Sequence, residues 1–199
     1  MNEMVKMVVV LTILSAVSGG LLAAVKDNTA QRIKDQELQF VKGPAIKAVM
    51  EGAGNDPLTK PYVQTVTHNE QELEFYVGVF DGQANTVAFE SSGKGFGGDV
   101  GLMVGVNVET DELIGVGVTT HAETPGLGSK AKDDPKFRAQ FKGLSLTEPI
   151  QVKNDGGQVD AIGGATITSR AVCEAATNAG TLYQEVKPQI LEQIKTIAQ

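Results

Sequence analysis

The hydroxyl, imidazole and carboxylate groups able to do chemistry gather in two short stretches of the 199-residue chain. One is Asp160-Ala161-Ile162-Gly163-Gly164-Ala165-Thr166-Ile167-Thr168-Ser169-Arg170. Gly163, Gly164 and Ala165 carry almost no side chain, so a ligand or macromolecule can approach the backbone closely there. Thr166 then presents one hydroxyl. Thr168 and Ser169 are favoured N-cap residues ahead of a helix-forming run, which predicts a helix start. Such a start points free N–H groups and a positive dipole end back toward Thr166, the geometry that holds a phosphate. A plain glycine turn into a capped helix accounts for the same residues. The other stretch is Thr120-His121-Ala122-Glu123-Thr124-Pro125-Gly126-Leu127-Gly128. Its proline and two glycines predict a rigid loop at a strand end, where binding residues commonly sit.

Other chemistries find less support. A hydrolase built on Thr166, His121 and Asp160 needs hydroxyl, imidazole and carboxylate in one hydrogen-bonded line. The Gly-Gly-Ala-Thr context lacks the nucleophile-elbow pattern, so this reading ranks low. The two histidines stand apart in sequence and give no readable metal site. The single cysteine excludes an intrachain disulfide, and Cys173, among Ala and Val, reads as small buried packing on a helix. A net charge of −7 argues against nucleic acid, which needs clustered Lys and Arg.

The elements that must position these stretches follow from patterning. Residues 7–25 are 19 uncharged residues rich in Val, Leu and Ile, about the length of a membrane-crossing helix. The run is long for a signal-peptide core and Ala23-Ala24-Val25 is a poor cleavage site, so an uncleaved anchor is expected. Lys26, Arg32, Lys34 and Lys42 after the span, against Lys6 before it, would place the rest in the cytoplasm, although long translocated domains often disregard this count. Residues 28–50 carry helix-spaced apolar positions interrupted at Gly43-Pro44. Strands are predicted at residues 62–68, 73–80 and 86–90, with a tight hairpin at Asp81-Gly82. Glycine-rich residues 91–98 read as a mobile connection and lack the ending of a phosphate-binding P-loop.

Alternation at residues 100–108 and 114–118 predicts a hairpin whose second face bears Gly101, Gly105, Gly115 and Gly117. So bare a face suits a closely packed helix. A short helix is expected over residues 133–141, a strand before Asp160, a helix from the Thr166 region to about Val186, and a separate terminal helix from Pro188. The fold class is therefore α+β: an N-terminal transmembrane helix, then one mixed domain with a twisted, mainly antiparallel sheet.

Asp160 to Thr166 resembles the flavinylation motif Asp-x-x-Ser/Thr-Gly-Ala-Thr of the FMN-binding domain found in the G subunit of the Rnf electron-transport complex. The same domain occurs in the C subunit of the sodium-pumping NADH:quinone reductase. Thr120 to Gly128 is similar to the family's His-x-Glu-Thr-Pro-Gly-Leu-Gly signature. Gly163 departs from the pattern by standing where the family has Ser or Thr. The resemblance implies that Thr166 carries FMN through a phosphoester made by a flavin transferase, which would recognise Asp160, Gly163, Gly164, Ala165 and Thr166. It also implies that Glu123, Thr124, Pro125, Gly126, Leu127 and Gly128 line the cofactor with Gly164, Ala165, Ile167 and Thr168.

His121 stands near the flavin or caps a strand end, and Arg170 offsets the phosphate or is simply solvated. A domain outside the cytoplasm, partnership with other membrane subunits of the complex, and an electron-carrier role are implied as well. The division expected is 1–27 anchor, 28–61 helical connector, 62–187 FMN-binding domain and 188–199 C-terminal helix. The reductase's C subunit is typically longer, so the length favours the Rnf G subunit, and a non-redox assembly subunit is the alternative from another class.

Overall fold

The computed structural model describes residues 2–197. Helix α1 spans Glu3–Glu37 and has no buried residue. It includes an 18-residue window of mean hydropathy 2.4, and its helix is the one among the described residues long and apolar enough to cross a membrane. A π-helical turn, Leu38–Lys42, precedes α2, Gly43–Val49. The wider turn falls just ahead of Pro44, which lacks an N–H and cannot continue a regular ladder. Residues 2–40 form one compact unit and residues 41–197 the other.

The second unit is built on a five-stranded antiparallel meander in the order β1 (Val63–His68), β2 (Gln71–Phe80), β3 (Gln83–Lys94), β4 (Asp99–Asn107) and β5 (Glu112–Val118). Asp81 and Gly82 have φ of 53° and 79°, so β2 and β3 join through the two left-handed residues a twisted hairpin favours. One face of the sheet buries Val77, Val87, Phe89, Leu102 and Val104 against α5, Thr166–Ile197. Ala171, Ala175, Ala176 and Ala179 keep the helix close to the strands, and Tyr183 stacks on Phe89 at 6.4 Å. The opposite, glycine-bearing face receives α2. A Cβ at Gly105 would lie 2.3 Å from Val49 Cγ1, and one at Gly117 would lie 3.3 Å from Ala45 Cβ. Those glycines are therefore the seat of a helix.

Four expectations are corrected. Residues 91–98 are not a mobile connection: β3 runs on to Lys94, paired with Asp99 across the turn. The glycines here serve close packing, since a Cβ at Gly93 would sit 2.1 Å from the Ala171 carbonyl oxygen. No separate helix begins at Pro188, which lies inside α5. Buried Ile190 and Ile194 hold that last stretch on the domain, and packing of the apolar stripe outweighs the missing hydrogen bond. The strand expected before Asp160 is a single parallel bridge, Val152 with Val159. The helix expected over residues 133–141 is split into α3, Lys130–Asp133, and α4, Pro135–Ala139. Asp134 caps α4 by accepting the Lys136 amide, and Phe137 meets Phe141 edge-to-face at 5.5 Å.

Candidate functional site

Three segments converge at the start of α5. Gly164 has φ +79°, a conformation glycine adopts without steric cost, and turns the chain into the helix at Thr166. The turn is fastened from inside. Ser169 Oγ accepts the Ile162 amide at 2.9 Å and donates to the Ala165 carbonyl at 3.0 Å, while Ala165 N–H donates to the Ile162 carbonyl at 2.9 Å. Helix geometry leaves the amides of Thr166, Ile167 and Thr168 without an acceptor in the preceding turn. Thr166 is half-buried beside them.

The expected N-cap role of Thr168 is corrected. The helix begins two residues earlier, and the buried Thr168 hydroxyl donates to Glu123 Oε2. Gly97 N–H donates to the other oxygen, Oε1, at 2.8 Å. The side chain of Glu123 is thus shared between the β3–β4 turn and α5. Burial works against its charge, but the Thr168 hydroxyl, the Gly97 and Phe96 amides and nearby His121 together hold its pKa below the usual carboxylate value.

The loop that carries Glu123 is folded on itself. Gly126 N–H donates to Ser129 Oγ at 2.9 Å, Leu127 N–H to the Thr124 carbonyl at 3.2 Å, and Gly126 has φ +75°.

Between these segments lies an open cavity of about 420 Å³. Glu123, Thr124, Leu127 and Gly128 form one wall, and Gly164, Ala165, Thr166, Ile167 and Thr168 form the other. Pro125 and Gly126 are exposed at the loop's turn and do not line it. Phe96 completes the lining, and sequence reasoning misses it. Its only signal there is one aromatic among four glycines. Phe96, Leu127 and Ile167 are 74%, 45% and 46% exposed, an apolar rim on three different segments.

The remaining residues stand back from the cavity. Asp160 is exposed, pairs with Lys153 at 2.7 Å, and is held through its backbone by Gln140. Gly163 is exposed, with nothing within 4 Å of a Cβ built on it. Arg170 is committed to Asp155 by a two-pronged ion pair at 2.6 and 2.7 Å. His121 accepts the Glu123 amide at Nδ1, 3.3 Å away. None of Thr166, His121 and Asp160 hydrogen-bonds to another of the three among the described residues, so no triad line forms. The Cys173 thiol is buried, and burial with the nearby Asp155 charge pushes its pKa up to about 12, leaving it protonated and unreactive.

A family model of the FMN-binding domain matches residues 95–181. The G subunit of the ion-translocating oxidoreductase complex of Methanosarcina acetivorans is 33% identical over 180 residues, covering 89% of this chain and 93% of that protein. The protein of the same name from Cereibacter sphaeroides is 32% identical over 190 residues, covering 91% and 84%. Among solved structures, the C subunit of the Na(+)-translocating NADH-quinone reductase from Parabacteroides distasonis matches with a TM-score of 0.52 and 29% identity, over 59% of this chain and 64% of that one. Shewanella oneidensis NqrC, at 23% identity and a TM-score of 0.53 over 72% and 74%, shares the fold. With identity sustained over nearly its whole length, the chain belongs to the family of G subunits of ion-translocating oxidoreductase complexes.

Proposed function

We propose that the chain is a membrane-anchored electron-transfer subunit of an ion-translocating ferredoxin:NAD oxidoreductase complex of the Rnf type. In this reading it holds FMN through a phosphoester at Thr166, on the extracytoplasmic side of the membrane. The observation that carries the reading is the convergence of the Thr166 hydroxyl, three acceptor-free helix amides and the residue 123–128 loop on one cavity. The residues fit the group. The amides and dipole end suit a phosphate, the bare surface at Gly164 admits it, and the rim of Phe96, Leu127 and Ile167 suits a flat aromatic ring. Bound FMN would supply the redox chemistry, which no side chain here provides.

The protein's part is position and electrostatics. The start of α5 offsets the charge of the phosphate, and the apolar rim limits water at the ring edge. Arg170 takes no share in this reading, because Asp155 already neutralises it. Asp160, Gly163 and Gly164 lie exposed on one short stretch and are accessible to a flavin transferase. Covalent attachment has a rationale outside the cytoplasm, where a dissociated cofactor would be lost. The Rnf G subunit is favoured over the reductase's C subunit by the relatives of that name, whose matches cover 89% and 91% of the chain.

The test is coexpression of the full chain with a flavin transferase. Wild type should give a fluorescent band on a denaturing gel and an intact mass raised by one FMN less one water. Thr166→Ala should abolish both, Thr168→Ala should keep them at lower stability, and Gly163→Ser should label equally or more completely. A label that survives in Thr166→Ala refutes the attachment site. A chain that never labels points to the assembly-subunit role.

A further inference from the structure

Glu123 is 6% exposed, and both of its carboxylate oxygens are taken by protein donors from distant parts of the chain. Oε1 binds the Gly97 amide, 26 residues away, and Oε2 binds the Thr168 hydroxyl, 45 residues away. Three glycines form the carboxylate's socket. A Cβ at Gly95 would meet Oε1 at 2.5 Å, one at Gly128 would meet Oε2 at 2.8 Å, and one at Gly97 would strike the Ala122 carbonyl oxygen at 2.1 Å. The Gly95 amide donates to the Gly98 carbonyl at 2.9 Å, which closes the turn into a small rigid loop with Phe96 at its tip. Phe96 itself is 74% exposed and makes no buried packing that would fix it. Its place over the cavity therefore depends on the neighbouring Gly97–Glu123 bond.

We propose that Glu123 is a positioning residue whose carboxylate locks the Phe96 turn to the start of α5 through Gly97 and Thr168. It thereby sets the aperture of the cavity and the wall that Phe96 presents to a bound ring. This deepens the flavin reading of the cavity and rests on it for the identity of the ring; the lock itself is a property of the chain alone. Hydrogen bonds to a buried charge are the strong kind, and leaving one partner unpaired carries the full desolvation cost. Loss of the lock should therefore free the turn well before the sheet beneath it opens.

The experiment uses the full-length protein in detergent, without flavin. The chain has no tryptophan, so Phe96→Trp introduces a single indole reporter at the cavity mouth. In the Glu123→Gln and Thr168→Val backgrounds, amide exchange across residues 95–98 should speed up roughly tenfold or more, while exchange in the centre of β4 stays unchanged. The indole emission should shift to the red and its anisotropy should fall. Thr168→Ser keeps the hydroxyl and should restore both readouts, which a general loss of packing would not allow.

In protein carrying the Thr166 label, flavin should quench the indole, and emission should recover at least twofold when Glu123→Gln is added. Exchange within twofold of wild type in both backgrounds, or no rescue by Thr168→Ser, overturns the lock. Absence of the label with the exchange result intact overturns the flavin reading only. Should Glu123→Gln fail to fold, Thr168→Val and Thr168→Ser decide alone.

Discussion

Replacing Gly128 with alanine tests whether the site is assembled by close approach or by loop flexibility. A methyl group there would lie 2.7 Å from Glu123 Cβ, 2.8 Å from Glu123 Oε2 and 2.8 Å from Thr168 Oγ1. Carbon atoms settle near 3.5–4.0 Å, so one side must move by roughly 0.8 Å. Glu123 Cβ is tied to its own backbone and cannot swing aside, so the movement reaches the Thr168–Glu123 bond. Overpacking costs about 1–3 kcal/mol, and loss of a charge-assisted hydrogen bond adds about 1.5–3 kcal/mol. The total is about 2.5–6 kcal/mol. At about 2–4 °C per kcal/mol for a domain of this size, the melting temperature should fall by roughly 5–24 °C.

Two neighbours set the scale for that loss. Gly126, with φ +75° and open space around it, should lose only about 1–2 kcal/mol as alanine, from backbone strain. Gly163, with no positive φ and nothing within 4 Å, should change by less than about 0.5 kcal/mol. Unfolding followed by the near-ultraviolet signal of the fully buried Tyr76 and Tyr183 reports the domain without interference from α1. If Gly128→Ala melts no lower than Gly126→Ala, the socket is looser than these distances require and close approach does not assemble the site.

Two further outcomes are expected. Thr168, Gly97, Phe96 and His121 outweigh burial and hold the Glu123 pKa below its ordinary 4.5, so its contribution to stability is complete above that value and is lost as the pH falls through the lower folded value. Melting temperatures between pH 6 and pH 3 should therefore drop less steeply in Glu123→Gln than in wild type, and parallel curves would refute the assignment. The full chain should also stay with membranes through high salt and alkaline extraction, as a spanning helix does; mature protein that begins after Val25 and stays soluble would identify the span as a cleaved signal.

Much of the fold was legible because its signals are local. The period-2 alternation of Leu102, Val104 and Val106 marks a strand with one apolar face whatever lies across from it, and Asp81-Gly82 marks a hairpin by its own torsional preferences. The helix after the glycine run was legible too, but not its first residue. Thr and Ser at positions 168 and 169 look like caps in sequence, and only the fold shows that Ser169 braces the turn from within while Thr168 reaches Glu123. Pro188 misled for a related reason: a proline stops an isolated helix, whereas Ile190 and Ile194 are buried strongly enough to carry α5 through it.

Glycine was the hardest residue to read, because one letter serves opposite ends. The run Gly93, Gly95, Gly97 and Gly98 has the composition of a flexible linker, and flexibility was the natural inference. In the structure Gly93, Gly95 and Gly97 are the least replaceable of these, because a main-chain carbonyl or a buried carboxylate stands within 2.5 Å of where each Cβ would be. Gly163, inside the most conspicuous motif of the chain, has open space instead. What separates the two cases is the partner across the gap, and those partners lie tens of residues away: Ala171 for Gly93, Glu123 for Gly95, Ala122 for Gly97. A glycine's meaning here is a tertiary property. The same long-range closure left Phe96 unread, since nothing in its own neighbourhood says that residues 123 and 168 will come to stand beside it.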